Sequence, residues 1–197
     1  MSVDQKMDSS RRNLLLATSA AGGVAAVATA VPFVASLTPS ERAKAAGAPV
    51  QVDVGKLGPG EMMAGEGRGK PVWILNRTPE MLASLEQTED KVSDPNSEKP
   101  MQPAYAKNKA RSIKPEYLVV VGICTHLGCS PSEKFKVGVE SGMGADWPGG
   151  FLCPCHGSLF DLAGRVYKSM PAPENLEVPP YQYLADTTIL VGEDGKA

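Results

Sequence analysis

Four cysteines and two histidines are the chain's whole complement of these residue types, and all six fall in two short segments. "CTHLGC" carries Cys124, His126 and Cys129, and "CPCHGS" carries Cys153, Cys155 and His156. Thiolate and imidazole are the side chains that bind zinc and iron most readily, and cysteine pairs also close disulfides. Cysteines used only as small core hydrophobes would be scattered among strands, with no histidine beside them. Each segment offers one metal-binding pair, Cys124 with His126 and Cys153 with His156. Two pairs make four ligands. The cysteines left over, Cys129 and Cys155, sit at comparable places, one per segment, where a disulfide could join them if the two loops lie face to face.

Four ligands of this kind could hold Zn2+ tetrahedrally, which would make the chain a structural zinc-binding module. A zinc finger, however, groups its cysteines on one arm and its histidines on the other, whereas here each segment gives one of each. That division suits a binuclear cluster, with Cys124 and Cys153 on one iron and His126 and His156 on the other, the ligation of a Rieske [2Fe-2S] centre. Two thiolates leave an oxidised [2Fe-2S] core neutral, where four would leave it doubly negative, so an electron enters more easily. Potentials of roughly -150 to +300 mV result, against about -400 mV for plant-type ferredoxins. The second ring nitrogen of each ligating histidine becomes more acidic when its iron is oxidised, which couples electron uptake to proton uptake.

Such a centre needs loops fixed on a rigid frame. Short β-branched or aromatic runs at 50–54, 71–75, 117–123, 134–137, 149–153, 164–167 and 187–192, separated by Gly/Pro breaks, predict a mainly β head of antiparallel sheets spanning 50–197. One short helix is expected at 78–87, capped by Thr78 with Pro79 in its first turn and with Met81, Leu82 and Leu85 facing inward. The polar stretch 88–110 reads as an exposed loop. A net charge of -2 supplies no basic surface for nucleic acid.

Ahead of the head, Leu14 to Leu37 is free of charge and long enough to cross a bilayer as a single helix, interrupted by Pro32. Residues 1–13 carry Lys6 and the Arg11-Arg12 pair, which favour a cytoplasmic N-terminus and match a twin-arginine export address for proteins that cross already folded. Folded export suits a metal cluster assembled in the reducing cytoplasm. Small residues at 43–48 offer a cleavage site, but the apolar run exceeds the roughly 7 to 15 residues of a signal core, so an uncleaved anchor at 14–37 is expected. Residues 38–49 read as a flexible hinge.

"CTHLGC", "CPCHGS", the twin-arginine anchor, the linker, "GRVYKSMPAPENLEVPPY" and the terminal "TTILVG" together resemble the Rieske iron-sulfur subunits of bacterial ubiquinol:cytochrome c reductase, the cytochrome bc1 complex. The resemblance covers nearly the whole chain. It implies the Rieske fold with a small cluster-binding subdomain of three loops, at about 122–130, 151–161 and 170–175. Cys124, His126, Cys153 and His156 would be the ligands of one [2Fe-2S] cluster, and Cys129 would pair with Cys155. His156 would meet ubiquinol, with His126 also exposed. Ser158 would give its hydroxyl to a bridging sulfide, and Gly128 and Gly157 would let backbone N–H groups approach the sulfides. Phe160 departs from the many relatives that carry tyrosine there, and so lacks a hydroxyl for a ligand sulfur.

Leu127 would dock on a membrane partner or shield the cluster, and Pro171 and Pro173 would stiffen the third loop. The implied role is an electron-transfer subunit of an oxidoreductase that takes one electron, with proton release, from ubiquinol at cytochrome b and passes it to cytochrome c1. It would work within a dimeric multi-subunit complex that contributes to proton-motive force. The anchor would span the inner membrane once and leave the head in the periplasm. The Rieske subunit of another periplasmic oxidoreductase, such as arsenite oxidase, shares the export signal and disulfide, but the linker and the 164–181 stretch fit it less well. Rieske ferredoxins and oxygenases usually lack the extra cysteines and need no export.

Overall fold

Leucine, valine and alanine without an intervening charge make a continuous helix, α1, over Ser9–Ser36 of the computed structural model, which describes residues 9–195. Its 28 residues give about 42 Å at ~1.5 Å each, more than the ~30 Å of a bilayer's hydrocarbon. The Thr18 hydroxyl donates to the Leu14 carbonyl at 2.9 Å and that of Ser36 to Phe33 at 2.7 Å, so these polar side chains are satisfied within the helix. Arg11 and Arg12 belong to the same helix, which begins before the apolar run and ends one residue short of Leu37. Lys6 lies outside the described residues. The expected hinge contains a six-residue helix, α2 (Glu41–Ala46), whose Ala43 N–H is capped by the Ser40 hydroxyl. Glu, Arg, Lys and Ala are strong helix formers, which the small-residue linker pattern conceals.

The chain divides into two units, Met1–Ala45 and Ala46–Ala197. The second is built on three antiparallel sheets of three strands. One joins β2 (Met62–Gly67), β3 (Lys70–Asn76) and β4 (Tyr117–Val121), and another joins β1 (Val50–Asp53), β9 (Thr188–Val191) and β8 (Tyr181–Ala185). The third is small: β5 (Ser132–Lys134), β6 (Gly150–Leu152) and β7 (Leu159–Phe160). The expected β head is therefore borne out, and so is the helix, α3 (Pro79–Thr88), where the Thr78 hydroxyl accepts the Met81 N–H and Leu85 is buried.

Three expectations need correction. The 134–137 run pairs earlier, at Ser132–Lys134, because Phe135 leaves the strand to meet the edge of Phe151 at 5.5 Å. The 164–167 run forms no strand; only Val166 and Tyr167 make isolated bridges, to Phe160 and Val92. The 88–110 stretch is not an exposed loop, since Val92, Ser97 and Ala106 are buried within it. Backbone bonds such as Ser93 N–H to Val166 O and Val178 N–H to Met101 O tie it to the head, satisfying polar groups that burial would otherwise leave unpaired.

The core meets the candidate site at Trp73 on β3, which stacks on Phe151 of β6 with ring centroids 5.5 Å apart. Gly122, at the end of β4, lies under that indole, and a Cβ there would sit 2.3 Å from the ring. Only glycine lets the chain leave β4 in this direction.

Candidate metal centre

Two loops leave the ends of β4 and β6 and close in the same way. In the first, the Cys124 N–H donates to the Cys129 carbonyl and the Gly128 N–H donates back to the Cys124 carbonyl, at 2.7 and 3.1 Å. In the second, Cys153 donates to Ser158 and Gly157 to Cys153, at 2.8 and 3.0 Å. The closing glycines have φ of 82° and 77°, a left-handed turn that a side chain would strain. Their own N–H groups close the loops on cysteine carbonyls, and the tight turn expected at both glycines is the one observed.

Equal closure puts Cys124 level with Cys153, but the other side chains fall out of step. His126 is level with Cys155, Leu127 with His156 and Cys129 with Ser158. The two extra cysteines thus do not occupy comparable places, yet Cys129 and Cys155 are joined in a disulfide that ties one loop to the other.

Cys124 and Cys153 are reduced and each only 2% exposed. Burial pushes the Cys124 thiol up from its ordinary value, a shift the neighbouring Cys153 reinforces and the His126 N–H and Ser158 hydroxyl oppose. The His126 and His156 rings lie edge to face with centroids 4.7 Å apart. His156 is exposed and His126 half-buried. The Cys129, Cys153 and Cys155 sulfurs gather within 4.8 Å of one another, but two of them are consumed by the disulfide and so cannot act as thiolates. The donors left are two buried thiols and two accessible imidazoles, which fits a [2Fe-2S] group with sulfur on one iron and nitrogen on the other.

The third loop is fastened to both others. The Ala172 N–H donates to the Ser158 hydroxyl at 3.0 Å, and the Thr125 hydroxyl donates to the Glu174 carbonyl at 2.7 Å. Lys99 adds a bond to the Pro173 carbonyl. Ser158 is fully buried, with its oxygen between Cys124 and the third loop. Pro171 and Pro173 are exposed on either side of buried Ala172. Leu127 is 72% exposed at the tip of the first loop, beside His126. Phe160 is fully buried on β7 opposite Phe151.

Beneath the second loop is a charged pedestal that sequence reasoning did not find. Asp161 accepts the N–H groups of Ala163 and Arg165, the Arg165 Nε at 2.7 Å and the Thr88 hydroxyl at 3.0 Å. Arg165 also reaches the Leu85 carbonyl, Arg77 the Leu162 carbonyl, and Arg111 the carbonyls of Ala163, Gly164 and Leu176. Desolvation lowers Arg77 and Arg111 to about 10 against the pull of Asp161, which leaves both charged at neutral pH. The only hint in the sequence is the four-residue spacing of Asp161 and Arg165.

The family model "Ubiquitinol-cytochrome C reductase Fe-S subunit TAT signal" matches residues 1–40, and "Rieske [2Fe-2S] domain" matches 98–181. The ubiquinol-cytochrome c reductase iron-sulfur subunit of Allochromatium vinosum is 59% identical over 93% of this chain and 88% of its own length. The proteins of the same name from Rhodospirillum rubrum and Blastochloris viridis are 41% and 39% identical; the aligned regions cover 94% and 98% of this chain and 93% and 98% of those proteins.

Proposed function

The chain belongs to the iron-sulfur subunits of ubiquinol-cytochrome c reductase, and from that membership we propose how its residues serve the complex. It is the electron-transfer subunit of that oxidoreductase, carries one Rieske [2Fe-2S] cluster and is anchored in a membrane through its N-terminal helix. Cys124 and Cys153 hold one iron, and His126 and His156 hold the other. The observation that carries the assignment is two buried reduced thiols beside two accessible imidazoles, on loops that a disulfide locks together.

When bound, the cluster supplies a one-electron couple at raised potential. The surrounding residues handle the rest. The exposed imidazole of His156 accepts a hydrogen bond from a ubiquinol hydroxyl and takes up its proton, and His126 is the second such group. Leu127, Pro171 and Pro173 present apolar groups on the exposed loops, a surface suited to docking on cytochrome b. Ser158 gives its hydroxyl toward sulfur while holding the third loop through Ala172.

Delivery to cytochrome c1 in a dimeric complex requires the head to travel, and residues 38–49 are the hinge. A helix as short as α2 is marginal in isolation and adds little stiffness. The span crosses the inner membrane once, with Arg11 and Arg12 toward the cytoplasm and the head in the periplasm, where protons released from quinol add to the proton-motive force.

The test is an EPR spectrum of the dithionite-reduced full chain, which must show the low average g value of His2Cys2 iron; a colourless, silent protein overturns the ligand assignment. Co-purification with haem b and haem c checks the partners.

A further inference from the structure

The sulfurs of the site form a chain of reactants. Buried Cys153 carries a reduced thiol, and its sulfur lies within 4.8 Å of both sulfurs of the Cys129–Cys155 disulfide. A thiol so close to a disulfide has a route to exchange that needs no outside oxidant. We propose that loss of the cluster releases Cys153 to attack the disulfide, so that the apo head rearranges to a Cys129–Cys153 bond and closes its own metal site. This rests on Cys153 being an iron ligand in the loaded protein, where its sulfur donates to the metal, is a weaker nucleophile and is held in place.

The step balances. Cys153 gives its proton to water and its thiolate attacks the Cys129 sulfur. The Cys129–Cys153 bond forms as the Cys129–Cys155 bond breaks, and the electron pair leaves on Cys155, which regains a proton from water. One disulfide and two thiols, counting Cys124, exist before and after. Attack on Cys129 is favoured over attack on Cys155, because Cys155 is separated from Cys153 only by Pro154, and a bond between them would strain a very small ring. The leaving thiolate is also the better placed one, since Cys155 is exposed to solvent and Cys153 is 2% exposed. The product lacks one of its four ligands and keeps its loops tied. While the Cys129–Cys153 bond persists the site cannot take up a cluster, and either return attack by Cys155 or a reductant that opens the bond frees Cys153 again.

The experiment uses the full chain in detergent under anaerobic conditions. The cluster is removed in acidic EDTA, where thiols are protonated, and the protein is returned to pH 7, quenched in acid at intervals, alkylated in denaturant and digested. Fragmentation identifies the alkylated cysteines. Loaded protein should label at Cys124 and Cys153; in apo protein the Cys153 label should move to Cys155 while Cys124 stays labelled, and Cys153→Ser apo protein should keep its Cys129–Cys155 bond. Apo protein that keeps its label at Cys153 overturns the inference and leaves the ligand assignment standing. Movement in the loaded protein as well overturns both. Disulfides to Cys124 forming at the same rate would show scrambling of an unfolded chain and overturn the inference, with circular dichroism of the same samples reporting the fold.

Discussion

Replacing Asp161 by Asn tests whether the pedestal holds the second loop. Asp161 is the one buried acid among the described residues, where Arg77, Arg111 and Arg165 are the buried bases. Its two oxygens accept four hydrogen bonds, one of them from the Arg165 Nε at 2.7 Å with both side chains 1% exposed. Asparagine keeps the size but removes the charge and turns an amide donor toward donors, leaving Arg165 buried and unpaired. Breaking a buried pair in this way costs about 3–5 kcal/mol, which lowers Tm by roughly 6–20 °C for a domain of this size. The assay is thermal unfolding of the loaded full chain, followed by the visible absorbance of the cluster and by circular dichroism. The double variant Asp161→Leu with Arg165→Met removes both charges and should recover much of the loss, since an apolar pair of similar volume avoids stranding an ion. A single variant that costs less than about 1 kcal/mol, or a double variant no more stable than the single, would refute the reasoning.

Thr125→Val removes the hydroxyl that holds the Glu174 carbonyl, and should cost about 1 kcal/mol and speed amide exchange over 171–175; unchanged exchange there would mean the tie is idle. Alkaline pH should destabilise the head. Burial raises Tyr181 to about 12, and it also raises Tyr105, Tyr167 and Tyr183, so the unfolded chain loses these protons from about 10 upward while the folded one keeps them. Arg77 and Arg111, lowered to about 10 by burial, act with the opposite sign, but four groups oppose two, and Tm should fall between pH 9 and 11; a rise would contradict the balance. Phe160→Tyr should raise the midpoint potential in a redox titration, and an unchanged or lower value would remove Phe160 from the tuning groups. A proline run at residues 43–46 should slow turnover of the complex without moving the midpoint, whereas unaltered turnover would argue against a travelling head.

What was legible in the sequence was chemistry that acts locally. Thr78-Pro79 starts a helix through its own hydroxyl and ring, wherever the rest of the chain lies. Valine-rich runs such as 117–121 become strands because they suit a buried pleat. By contrast "MMAGEG" has no such preference, and is a strand only because β3 pairs along its whole length and Arg68 and Gly69, both at positive φ, turn the hairpin. Stretch 88–110 looked solvated because it is polar, but Asp94 spends its side chain on the Glu98 and Lys99 amides and so lets the backbone settle against the head. Arg77 and Arg111 gave no sign of burial, since an arginine whose partners are carbonyls from distant segments has no sequence pattern.

The site itself shows why residue types were easier to read than their arrangement. Counted from the first cysteine of each loop, the disulfide joins the sixth residue of one, Cys129, to the third of the other, Cys155, and the histidines stand at the third and fourth, His126 and His156. Backbone closure imposes the same frame on both loops, so only an offset within that frame lets a disulfide and two imidazoles share one site without competing for a position. If the loops matched residue for residue, His156 would stand where Cys155 now does and the cross-link would have to move. The offset leaves one place level with Cys129 free for a non-sulfur side chain, and Ser158 fills it, with its hydroxyl between Cys124 and the third loop. The place of a serine whose hydroxyl was expected near sulfur thus follows from the asymmetry between two loops of equal shape.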